Sequence, residues 1–198
     1  MMYMQVRFST SVGLPVVEKQ YAETIGGLAG ILINPDNGKV EGFYVKVPGV
    51  FRSSELFLPS LDVIKWGTHI SVRDREVFAY AEDLIRLKPL LEDGRMLLGQ
   101  RMQTESGQKL GVCADVQFNT KTMRLTWLFP RKWWRLGIAV PISEVIEVRK
   151  DSIIVRDPPV TKEEQVKEVN PVEALGKIQD IAEPGIVRPS RSLNNAQK

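Results

Sequence analysis

The chain has 198 residues, 43% hydrophobic and 26% charged, with a net charge of +3, the composition of an ordinary folded protein with room for one large or two small domains. One cysteine, Cys113, excludes an internal disulfide, and with one histidine, His69, and neither a CxxC nor an HExxH pair, nothing in the sequence supplies a zinc site. No run approaches the ~20 apolar residues of a membrane helix, and "MMYMQVRFSTSVG" lacks a basic start and an apolar signal core, so a cytoplasmic protein is expected.

Along the chain, short segments alternate apolar with polar or small residues: "GILIN" (30–34), "VEGFYVKV" (40–47), "ELFLP" (55–59), "VCADVQFN" (112–119) and "MRLTWLF" (123–129). Pro, Gly, Asn and Asp punctuate them, the pattern of strands joined by turns. "TIGGLAG" lacks the Lys-Ser/Thr of a phosphate loop, and "NPDNGK" lacks the spaced acids of a calcium loop. No G-x-S-x-G elbow is present; Cys113 reads as a small buried strand residue and His69 as a strand-end residue. No catalytic, cofactor or metal residue is therefore assigned, and a non-enzymatic protein is expected.

The segments repeat. "IGGLAGILINPDNGKVEGFYV" (25–45) matches "LGVCADVQFNTKTMRLTWL" (110–128) through Gly26 and Gly111, Ala29 and Ala114, and Asn34 and Asn119. With a turn two residues longer in the first copy, Val40 falls on Met123, Tyr44 on Trp127 and Val45 on Leu128. "PGVFRSSELFLP" (48–59) and "PRKWWRLGIAVP" (130–141) follow, then "SLDVIKW" and "ISEVIEV", each copy closing on "VRD". A spacing of 82 to 85 residues held over several blocks argues for two copies of one module. Five or six short strands in about 70 residues favour a small closed barrel, because closure removes exposed edges.

The block "LLGQRMQTESGQKLGVCADVQFNTKTMRLTWL" (97–128) resembles the opening of a PRC-barrel domain, and "AVPISEVIEVRKDSIIV" (139–155) is similar to its ending. "AYAEDLIRL" (79–87) resembles the approach to the barrel in ribosome maturation factors of that family. The first copy departs more: it replaces a short Ser-Gly turn with "EKQYAET", and Gly30 stands where the second has Asp115. The resemblance implies a mainly β protein with two small PRC-type β-barrels in tandem, at 10–90 and 91–159, which serve as docking or assembly modules rather than catalysts.

Between 116 and 143 lie Lys121, Arg124, Arg131, Lys132 and Arg135 and no acid, a local charge of +5 that suits an acidic partner or RNA. The repeat puts Trp133 on Phe51 and Trp134 on Arg52. Neighbours on a strand face opposite ways, so Trp133 is expected in the core and Trp134 as an exposed anchor rimmed by Arg131, Lys132 and Arg135. Beyond 160 the chain reads as a polar, disordered tail with a short helix at 171–182, capped by Asn170 and striped by Val172, Leu175, Ile178 and Ile181, for contact in cis or with a partner. The expected function is protein–protein docking to another protein. The alternative is an RNA- or ribosome-associated assembly factor using the basic face of the second barrel, and a third is an enzyme whose site only the fold would reveal.

Overall fold

Two asparagines set the hairpins around which each half is built. Asn34 Oδ1 accepts from the Asp36 N–H at 3.0 Å, and Asn119 Oδ1 accepts from the N–H groups of Lys121 and Thr122 at 2.9 and 3.0 Å; side chains of this kind replace backbone partners in tight turns. Each turn then passes through a positive φ, at Gly38 (65°) and at Met123 (49°).

The computed structural model describes residues 4–49, 54–133 and 135–158. Strand β1 (Gln5–Arg7) leads into a single helical turn, α1 (Phe8–Ser11). The first half comprises β2 (Pro15–Glu18), β3 (Thr24–Ile33), β4 (Val40–Val47), β5 (Ser54–Pro59), a 3-10 turn, β6 (Val63–Trp66) and β7 (Ile70–Val72). Short 3-10 turns and α2 (Lys88–Asp93) connect it to β8 (Arg101–Thr104), β9 (Lys109–Asn119), β10 (Arg124–Lys132), β11 (Arg135–Leu136), β12 (Val140–Pro141), another 3-10 turn, β13 (Val145–Val148) and β14 (Ser152–Val155).

The protein is mainly β, and the two sheets share one plan: β5-β4-β3-β2-β7-β6 in the first and β11-β10-β9-β8-β14-β13 in the second, with β12 on β10 and β1 on β9. In each, a parallel pair (β2 with β7, β8 with β14) joins the last hairpin to the first strand. Among the described residues neither sheet closes on itself by hydrogen bonds, so two open sheets stand where the sequence predicts two closed barrels. The physical reason is a shared interior. Phe43 of the first half lies 5.8 Å from Phe118 of the second, Trp66 lies 5.3 Å from Phe118, and buried residues of both halves form one cluster. Residues Met1–Asp157 accordingly make one compact unit.

Register corrects the match between the copies. Ile31 pairs with Phe43 as Val116 pairs with Leu128, and Leu28 with Val45 as Cys113 with Pro130, so each residue corresponds to the one 85 positions later. The two turns are therefore equally long: Val40 corresponds to Leu125 and Tyr44 to Phe129, not to Met123 and Trp127. Both copies also bulge at the same places, Ala29 and Ala114 being skipped in the pairing. The second copy is shorter at two places, by one residue in the turn between β8 and β9 and again after its long hairpin.

Gly26 and Gly111 occupy equivalent positions where the neighbouring strand comes close: a Cβ would lie 2.5 Å from Lys46 O or from Arg131 O, and Gly111 also has φ 120°. Alanine at either position is expected to destabilise the protein by about 2–3 kcal/mol, against about 1 kcal/mol for Gly107→Ala, where φ is positive but no atom lies within 4 Å. Urea unfolding of the three variants checks the ranking.

Candidate functional site

The five cations that follow one another in sequence do not form one patch. Lys121 and Arg124 sit at the start of β10, where Arg124 Nη1 donates to Asn37 O of the first half at 3.2 Å. Arg131, Lys132 and Arg135 sit at its far end, seven residues or about 24 Å of extended strand away. There β10 and β11 pair Arg131 with Leu136 and Lys132 with Arg135, so the connecting turn begins at Trp133. All three cations are exposed, and among the described residues none has a carboxylate within ion-pair distance.

Trp133 is not a core residue. It is 82% exposed with φ 57°, because the equal turns and shared bulges make it the counterpart of Pro48, past the end of the strand, rather than of Phe51. A left-handed φ at a bulky residue costs about 1–3 kcal/mol, and hairpin turns usually place Asn or Gly there. Ile138, on the return path, is 90% exposed. Trp134 lies outside the described residues, as do Val172, Leu175, Ile178 and Ile181 and the whole expected tail helix.

Sequence reasoning missed Asp115, whose only trace was its mismatch with Gly30. It is 3% exposed. Its carboxylate accepts from Arg7 Nε at 2.8 Å, from the Ser9 N–H at 2.9 Å and Ser9 Oγ at 2.5 Å, and from the Val116 N–H at 2.9 Å. Arg7 meanwhile stacks over the Phe129 ring, 4.0 Å from its centroid. These bonds clasp the N-terminal segment onto the second sheet and leave the carboxylate no free lone pair for chemistry.

Two clefts flank the segment joining the halves. One, of about 240 Å³, is lined by Leu32, Tyr44, Leu91, Arg95 and Met96; the other, of about 330 Å³, by Asp36, Arg95, Ile142, Ile146 and Glu147. Arg95 stands in both, held by Asp93 (2.6 Å), Asp36 (2.9 Å) and Val148 O (3.0 Å). The hydrogen bond to Arg95 holds the Asp93 carboxyl below the usual carboxylate range. Arg95 thus fastens the connection to a turn of the first half and a strand of the second.

Cys113 is fully buried, and burial, aided by nearby Asp115, pushes its thiol up to about 12; His69 is exposed at the entry to β7. Among the described residues no three His, Cys, Asp or Glu converge as a metal site would require, and no helix is long and apolar enough to cross a membrane. No protein-family model matches this chain, and no curated protein matches it.

Asp115→Ala is expected to cost about 2–4 kcal/mol, because it strands buried donors and frees Arg7. Hydrogen exchange should speed up first in residues 5–11, and a wild-type unfolding midpoint for the variant would count against the clasp. At pH 8 only about one Cys113 thiol in 10,000 is ionised, so Ellman's reagent should label the native protein at a rate set by its unfolding. Labelling that does not accelerate with denaturant would contradict this.

Proposed function

We propose that the chain is a non-catalytic docking protein, built from two PRC-type modules and working in the cytoplasm, that holds an acidic protein partner at the β10–β11 hairpin. The observation that carries this reading is the hairpin end itself, where two large apolar side chains, Trp133 and Ile138, stand almost fully exposed beside Arg131, Lys132 and Arg135. Aromatic anchors with a polar rim are the usual make-up of energetic centres in protein interfaces, and Trp and Arg lead that list. Basic rims also speed encounter with an acidic surface and reject basic ones.

The sequence relationship of the halves supports the docking reading over a catalytic one, because what differs between the copies here is the surface hairpin. The first copy carries six residues between Val47 and Ser54, and the second carries two between Lys132 and Arg135. Lys121 and Arg124, at the opposite end of β10, are assigned no part in this contact.

A photo-cross-linking residue at Ile138, in the full chain within its own cells, is expected to capture one defined protein. The triple charge reversal Arg131→Glu, Lys132→Glu, Arg135→Glu should reduce the adduct at least tenfold, as should Trp133→Ala, each about 1.4 kcal/mol or more of binding. An adduct that nuclease removes, with a steep loss between low and physiological salt, would instead assign the hairpin to RNA and overturn protein docking.

A further inference from the structure

The two sheets present equivalent outer faces that are covered differently. In the first, the Phe57 ring lies over Gly42, where a Cβ would come within 2.3 Å of it, and meets Tyr44 edge-on at 5.4 Å. The chain covers this pair itself. Ala79 exchanges two hydrogen bonds with Phe57 (2.8 and 3.2 Å), and the segment then folds back so that Ala81, Leu84, Leu87 and Leu91 pack on Phe57 and Tyr44. Phe57 is left with 0% exposure. Burial of this kind stabilises by about 1.5–3 kcal/mol for one large side chain.

On the second sheet the large and small residues change places. Trp127 stands where the first has Gly42, Ala139 where it has Phe57, and Phe129 where it has Tyr44, as the shared register dictates. An aromatic ring therefore occupies the same part of the face, contributed by the other strand. It is 40% exposed. Beside it Phe129 carries the Arg7 guanidinium, and Arg131 and Arg101, joined through Val112 in one cross-strand row, are exposed. On the first face one acid, Glu55, belongs to β5 and another, Glu82, to the covering segment: after burial, their carboxylates push the Tyr44 phenol above its usual range.

We propose that the Trp127 face of the second sheet receives a short helical segment of a partner protein, with leucine-type side chains three or four residues apart and acidic flanks, as residues 81–91 cover the first face. Two features specify this occupant: the chain's own solution to the equivalent face, and the exposed cations Arg101 and Arg131 that edge the second one. The inference rests on the docking reading and shares Arg131 with the hairpin rim, but it is centred on Trp127 rather than on Trp133 and Ile138.

The probe is a 15-residue peptide with the sequence of residues 79–93 carrying Arg86→Glu and Lys88→Glu, titrated into the full ¹⁵N-labelled chain. The Trp127 indole N–H signal is expected to shift saturably while that of buried Trp66 stays put. Trp127→Ala should weaken binding at least tenfold, and Trp127→Phe should restore most of it. No shift at millimolar peptide, or shifts confined to residues 57–91, would overturn the proposal, the latter because the peptide would be displacing its own copy. Concentration-dependent change at Trp127 without peptide would also overturn it, by making a second copy the occupant. If Trp127→Ala abolishes peptide binding while the Ile138 cross-link persists, both surfaces stand; loss of the cross-link alone rejects only the hairpin reading.

Discussion

Everything in the described fold hangs on the seam where the two long hairpins meet. The Val40 N–H donates to Met123 O and its counterpart, the Leu125 N–H, donates to Gly38 O, both at 2.8 Å. Residues 85 apart thus exchange equivalent bonds, as two copies related by a two-fold axis would. The positive φ at Gly38 and Met123 turns each carbonyl toward the other half, and Phe43, Trp66 and Phe118 fill the space beneath. Once inner faces are spent on each other, neither sheet gains by curling shut. The open sheets and the single core have the same cause.

That seam leaves each half's lead-in segment free to serve the other. Residues 5–11 are clasped to the second sheet through Asp115, and residues following the first half return over the outer face of the first sheet. Gly30 has no side chain with which to hold a lead-in, and its Cβ would lie 3.0 Å from the Tyr44 ring. Asp115 holds one through Arg7, which stacks on Phe129 at the position equivalent to that tyrosine. Difference between the halves is concentrated on outer faces and hairpin ends, while Gly26, Gly111, the bulges at Ala29 and Ala114 and the asparagine turns are kept in both.

The strands, their turns and the duplication were legible in the sequence because each is written in local terms: alternation, Asn-Asp-Gly punctuation, and recurring glycines at fixed spacing. The burial of Cys113 and the exposure of His69 followed from the same patterns. Register was not legible. A bulge adds a residue to one strand without changing the alternation enough to announce itself, so apolar residues two apart match equally well, and the slipped register puts Trp133 on the inner face. Closure failed for a different reason: local pattern says that an edge must be protected, not whether its own sheet or a neighbour protects it. The Asp115 clasp joins residues more than a hundred positions apart, and only the mismatch with Gly30 hinted that something acidic was needed there.

Duplication followed by divergence of the covered faces has an energetic logic. In the first half, an apolar ring fully buried by a tethered segment stabilises the fold with no loss of freedom beyond that of ordering the connection. In the second half, an equivalent ring left 40% exposed gives up part of that burial. On the proposed docking reading, a partner segment that buries the rest of the indole turns that exposed area into binding energy. The left-handed Trp133 follows the same rule, since glycine or asparagine would relieve the backbone there while removing the side chain that projects. Both tryptophans are places where local stability is given up, and among the described residues both lie in the second half, exposed to different degrees.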